Sequence, residues 1–76
     1  MDIEVLGPGC AKCKATAGLV ARTAEEAGKA VNLVKVEDMR WIVGYGVMTT
    51  PAVVVGGKVV HKGTVPTRDQ VLSWLG

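Results

Sequence analysis

The feature that most constrains this chain is a change of hydrophobic period across a three-residue break near its start. Asp2-Ile3-Glu4-Val5-Leu6 alternates polar and apolar residues, as a half-buried strand does, and stops at Gly7-Pro8-Gly9. From Cys10 to Ala27 the period becomes helical. Cys13, Ala17, Val20, Ala24 and Ala27 follow one another at three- and four-residue intervals and share one face. Lys14, Gly18, Arg22, Glu25 and Lys29 fall on the other face, and Gly28 stands where a left-handed C-terminal cap belongs. The small residues of the apolar stripe let such a helix lie close to a sheet. Val31-Asn32-Leu33-Val34-Lys35-Val36 then reads as a second strand. A strand reached through a helix makes a βαβ unit, so the two strands are expected to be parallel with a right-handed crossover.

The remaining segments extend that unit. Asp38 can cap a short helix over Met39 to Tyr45 that ends at Gly46. Ala52 to Val55 and Lys58 to Lys62 flank Gly56-Gly57, a two-residue turn suited to a tight hairpin. Thr67-Arg68-Asp69-Gln70 has the form of a capping box, followed by the apolar helical triplet Val71, Trp74 and Leu75. The expected order is β-α-β-α-β-β-α, an α/β layout with a small central sheet and helices on both faces. With 76 residues the chain has room for one domain, residues 1–76. Val supplies 14 residues and Phe none, in keeping with a β-branched, sheet-containing core.

Composition removes several function classes. A hydrophobic fraction of 49% with a net charge of +2 excludes a disordered chain. Acids and bases are interspersed without long like-charge runs, which argues against a dedicated nucleic-acid surface. The longest unbroken apolar run, Ala52-Val53-Val54-Val55, is far short of the roughly 20 residues a membrane helix needs. Met1-Asp2-Ile3-Glu4 is acidic where a secretory signal is basic. The expected location is the cytoplasm.

That location bears on Cys10-Ala11-Lys12-Cys13. In a reducing compartment a static disulfide is not expected, and a bridge across so few residues adds little stability. A bond between these two reads as one the protein makes and breaks. The i, i+3 spacing at a strand-to-helix turn puts both sulfurs on one side of a helix N-terminus, where unpaired N–H groups and the dipole favour a thiolate. Lys12 and Lys14 add positive charge nearby. Cys10 is then the exposed nucleophile. Cys13, one turn in on the apolar face, is the thiol that resolves a mixed disulfide.

Other readings of the pair fit less well. A structural zinc site needs four ligands, whereas the chain has two Cys and one His. Haem attachment needs His after the second Cys, where Lys14 stands. The rival from another class is a soft-metal carrier holding Cu(I) between two thiolates. Heavy-metal-associated domains run β-α-β-β-α-β and end on a strand, with Met two positions before the first Cys. Here that position is Pro8 and the chain closes on a capped helix.

The whole arrangement resembles the thioredoxin-like superfamily, and within it the small redox-active-disulfide proteins of glutaredoxin size. The residues that carry the resemblance are Gly7-Pro8-Gly9-Cys10-Ala11-Lys12-Cys13-Lys14 and Tyr45-Gly46-Val47-Met48-Thr49-Thr50-Pro51-Ala52, ahead of a Gly-turned hairpin. The resemblance implies a four-stranded mixed sheet of order 2-1-3-4 with three helices, the third strand antiparallel to the first. It implies that Pro51 is cis and lies against the sulfurs, and that the Thr50 backbone pairs with an extended substrate segment. Substrate contact is thereby assigned to Gly9, Ala11, Lys12, Thr50 and Pro51, and catalysis to Cys10 and Cys13. The implied activity is thiol–disulfide exchange on substrate proteins by a monomer with no bound cofactor and no metal, recharged by a thioredoxin-reductase-type flavin enzyme.

Departures from familiar thioredoxins are Gly9 in place of Trp and Ala11-Lys12 in place of Gly-Pro. Lys12 is expected to favour the thiolate and make the pair more oxidising. Gly63-Thr64-Val65 offers one Gly where glutaredoxins have a Gly-Gly-Asp segment, so glutathione dependence is not implied. Gly7-Pro8-Gly9 begins like a phosphate loop, but Lys12 stands at its third glycine position. His61 reads as a surface residue of an edge strand and Trp74 as core. Trp41, Tyr45 and Met48 read as packing, with partner contact as the alternative. Glu4, Glu37 and Asp38 are the candidate proton-handling carboxylates.

Overall fold

In the computed structural model, which describes residues 1–75, the elements run β1 (Asp2–Leu6), α1 (Ala11–Glu26), β2 (Asn32–Val36), α2 (Met39–Gly44), β3 (Ala52–Val55), β4 (Lys58–Lys62) and α3 (Arg68–Leu75). Gly76, the last residue of the expected domain, lies outside the described residues. The four strands form one sheet of order β2-β1-β3-β4. β1 is parallel to β2 and antiparallel to β3, and β3 is antiparallel to β4. This is the thioredoxin-like arrangement. A heavy-metal-associated domain would instead have closed on a fourth strand.

Strand alternation divides the interior into two layers. Ile3 and Val53 point to one face and bury against Val20 and Ala24 of α1 and Val71 and Leu75 of α3. Leu6, Ala52 and Val54 point to the other, against Ile42 of α2 and Val47. Full burial of a Val, Leu or Ile side chain contributes about 1.5–3 kcal/mol, so these few residues dominate the stability of so short a chain. The helices cover the faces unequally: α1 and α3 pack on the first, and only the six-residue α2 on the second.

The local signals act as expected at most ends. Thr67 Oγ1 accepts from Gln70 N at 3.2 Å while Gln70 Oε1 accepts from Thr67 N at 2.9 Å, a reciprocal capping box. Asp38 caps α2, its carboxylate accepting from Arg40 N at 2.9 Å. Gly56 and Gly57 both have positive φ, 58° and 83°, which a two-residue hairpin turn of this hand requires. One irregularity had no sequence signal. Pairing shifts between Val53, opposite His61, and Val54, opposite Val59, so Val60 bulges from the edge strand.

Several residues depart from the sequence reading. Ala27 is exposed, because α1 ends at Glu26 and Ala27 is its C-cap, beyond the stretch that crosses the sheet. Thr16 and Thr23 are fully buried in its place on the inner face, where Thr16 Oγ1 donates to the Lys12 carbonyl at 2.8 Å and so conceals its polarity. Trp41 is 67% exposed rather than packed. Trp74 is half-buried at the margin of the first layer, its ring 5.9 Å from that of His61.

Candidate active site

The site forms where β1 runs into α1. Cys10 is the N-cap of α1, in extended conformation, and its sulfur accepts from Cys13 N at 3.2 Å. This places the sulfur in the role that a Ser or Asp oxygen plays at other helix starts. The first turn of α1 carries Lys12 and no acidic residue, so helix dipole and side-chain charge act in the same direction there. Cys10 is exposed and Cys13 is 4% exposed. The two are joined as a disulfide with Cα atoms 5.0 Å apart.

Gly7 closes the site from below. A β-carbon built on Gly7 would overlap Cys13 Sγ, lie 3.1 Å from Cys13 Cβ and come within 3.7 Å of Thr50 Cβ. Gly7 is therefore required by space. The same distances bring the Thr50 loop to the cysteine pair. The Thr50–Pro51 peptide is cis, and Pro51 is buried while Thr50 is half-exposed. Gly63 of the chain leaving β4 sits against this loop, its N–H donating to the Pro51 carbonyl at 2.9 Å. Gly9 is half-exposed, and Ala11 and Lys12 lie exposed on the first turn. Met48, 92% exposed, precedes this loop and packs against nothing.

The structure separates the three candidate carboxylates. Glu37, just past β2, shares a small cavity of about 30 Å³ with Cys13, Gly7, Gly9, Lys14 and Lys35. Its carboxylate lies within 3.9 Å of where a Gly9 β-carbon would stand. Asp38 is committed elsewhere, to Arg40 at 3.0 Å, and the guanidinium beside it holds its carboxyl below the usual range. Glu4 points to the second face of the sheet and accepts from Tyr45 Oη at 2.6 Å. That hydrogen bond, with burial and the carboxylate charge, raises the Tyr45 phenol above its ordinary value. Sequence reasoning had no means of pairing Glu4 with Tyr45, which are 41 residues apart. It reads Gly7 only as part of the Gly7-Pro8-Gly9 turn and gives it no place in the site, because nothing local shows that a sulfur will lie against it.

A four-stranded sheet of this order, with a vicinal cysteine pair at the first strand-to-helix junction, defines a thioredoxin-like thiol–disulfide protein. Residues 1–76 match the family model described as "Thioredoxin domain". A curated relative, "Thioredoxin" of Methanocaldococcus jannaschii, is 33% identical over 73 residues, covering 96% of this chain and 84% of that protein. The chain belongs to the thioredoxin family. The family and the Cys10–Cys13 disulfide together identify its general chemistry as thiol–disulfide oxidoreduction. No described helix is long and apolar enough to cross a membrane.

Proposed function

We propose that this thioredoxin-family chain reduces disulfides in partner proteins with the Cys10–Cys13 dithiol, Cys10 attacking and Cys13 resolving. The observation that carries this reading is the asymmetry of the pair: one exposed sulfur at a helix N-cap, bonded to one buried sulfur a turn further in.

The Cys10 thiolate attacks one sulfur of the partner disulfide, and the other leaves as a thiolate that takes up a proton. Cys13 then gives up its proton and attacks Cys10 Sγ. This breaks the mixed disulfide, releases the second partner sulfur as a thiol and closes the Cys10–Cys13 bond. Two electrons have passed to the partner, and its two new thiols carry two protons, one matching the proton released by Cys13 and one drawn from solvent. Glu37, across a cavity large enough for a water molecule, is the carboxylate best placed to take the Cys13 proton. Gly9, Ala11 and Lys12, adjacent to Cys10 in the chain, and Thr50 and Pro51, whose loop comes up to Gly7 on the Cys13 side, are the platform for the partner segment, with the Thr50 backbone pairing to it. The electrons reside in the dithiol itself, so no bound cofactor or metal is required. A flavin-dependent dithiol reductase is the partner class that would return the disulfide to the dithiol. The chain is assigned to the cytoplasm and to a monomer.

The test is the thiol state of Cys10 and Cys13, read by mass-shift alkylation across metal-free thiol–disulfide buffers. A reversible two-electron transition between about −300 and −180 mV supports the reading. Absence of any intramolecular disulfide throughout the series overturns it. Cys13→Ser should then hold partner proteins as mixed disulfides on Cys10, which Cys10→Ser should not.

A further inference from the structure

The second face of the sheet carries an open cavity that the cysteine chemistry does not use. Its volume is about 390 Å³, within the roughly 300–1,000 Å³ span of ligand clefts. It exists because α2 has only six residues and leaves the β2 side of that face uncovered. Val36 contributes apolar floor, and Val34, the register partner of Glu4, is exposed beside it. Trp41 and Tyr45 form the aromatic wall from α2 and its C-cap.

Two carboxylates border this aromatic wall. Glu4 is held by Tyr45 through one oxygen, Oε2, which fixes its position. Glu37 stands at the rim shared with the small cavity beside Cys13. Among the described residues neither makes a salt bridge, whereas Asp38 is already engaged by Arg40. Lys35 lies at the same shared rim without pairing to either carboxylate. A chain of net charge +2 thus presents, at this one cleft, exposed aromatic surface beside unpaired negative charge.

The geometry points to a docking site for an arginine or lysine side chain of the partner protein. Its aliphatic stem lies along Val36 and the Trp41 ring, and its cationic head reaches Glu4. Cations are attracted to the faces of Trp and Tyr, and long basic side chains bury their stems while keeping the charge near a polar group. Because the cleft shares Lys35 and Glu37 with the cavity at Cys13, a protein seated on Cys10 lies beside it. Assigning the visitor to the redox partner rests on the proposed function; the preference for a cation does not. A second copy of this chain carries the same net positive charge and is disfavoured as the occupant.

The experiment uses the oxidised chain, ¹⁵N-labelled, titrated with cysteine-free peptides of sequence Gly-Gly-X-Gly-Gly in which X is arginine, citrulline or glutamate. No disulfide exchange can occur, so the result is separable from the redox activity. The arginine peptide should shift the Trp41 indole N–H and the Tyr45 and Glu4 amides. It should bind about fivefold more tightly than its neutral citrulline isostere. That margin should shrink as salt rises from about 0.05 to 0.5 M and disappear in both Trp41→Ala and Glu4→Gln. Trp41 is exposed, and a glutamine at position 4 can still accept from Tyr45, so both variants should fold. Equal binding of arginine and citrulline overturns the assignment. So do shifts centred elsewhere, or shifts at these residues that grow with chain concentration without peptide, the mark of a second copy in the cleft.

Discussion

Gly7 and Cys13 touch so closely that the buried sulfur occupies the space a side chain on Gly7 would need. Gly7, the residue that follows β1, therefore limits how closely the first turn of α1 can approach. In the disulfide, Cys13 Sγ is also tied to Cys10 and cannot rotate away. As a free thiol it can.

Gly7→Ala is expected to destabilise the oxidised protein by about 1–3 kcal/mol, the usual penalty of overpacking, and the reduced protein by less. The difference appears as a midpoint potential shifted upward, because strain in the disulfide favours the dithiol. Denaturation of both redox states, together with the midpoint, checks this. An equal loss in both states with no change in potential would show that backbone displacement, not the sulfur contact, dominates.

Lys12→Ala removes a positive charge from the first turn of α1, beside the N-cap sulfur. The reduced thiolate loses support, so the midpoint should move down by about 10–20 mV, the equivalent of one exposed charge near a helix terminus. Redox equilibration against the unaltered protein measures that shift directly, and a midpoint unchanged within error refutes the role of Lys12.

Glu37→Gln preserves size and hydrogen-bonding capacity at the Cys13 cavity but cannot accept a proton. Disulfide reduction should slow about 10-fold or more, the lower range of general-base effects. The loss should be greatest near neutral pH and recover as alkaline solution deprotonates Cys13 without help. A uniform loss across the pH profile would indicate that Glu37 acts only on partner binding.

Tyr45 is the one tyrosine of the chain, so phenolate absorbance reports it alone. Its folded-state value is raised, which means the protonated phenol is the form the fold favours. The stability it contributes is complete below the unfolded value of about 10 and is lost as pH rises through the higher folded value. Glu4→Gln replaces the hydrogen bond to a carboxylate with a weaker one to a neutral amide and removes the repelling charge, so it should bring the titration down toward the ordinary value. The unfolding free energy of that variant should fall less steeply above about pH 10.

Much of this architecture could be read from the chain because its signals are local. The break at Gly7-Pro8-Gly9, the Gly56-Gly57 turn and the Thr67–Gln70 capping box each depend on residues within four positions of one another, and each formed where the sequence placed it. The cysteine pair belongs to the same category, since three-residue spacing across a helix start brings the sulfurs together in almost any fold that keeps the junction. Trp41 failed for the complementary reason. Its apolar character is local, but whether it is covered depends on how far α2 extends over the sheet.

What the sequence by itself determined was therefore the order of elements, the redox pair and the helix end that holds it, because backbone sterics and short-range hydrogen bonds suffice for these. Only the tertiary structure decided which distant groups meet: Glu37 but not Glu4 or Asp38 beside Cys13, Glu4 with Tyr45, and a sulfur filling the space above Gly7. The physical reason is that such meetings are set by strand order, register and helix depth, and these emerge from packing the whole chain at once.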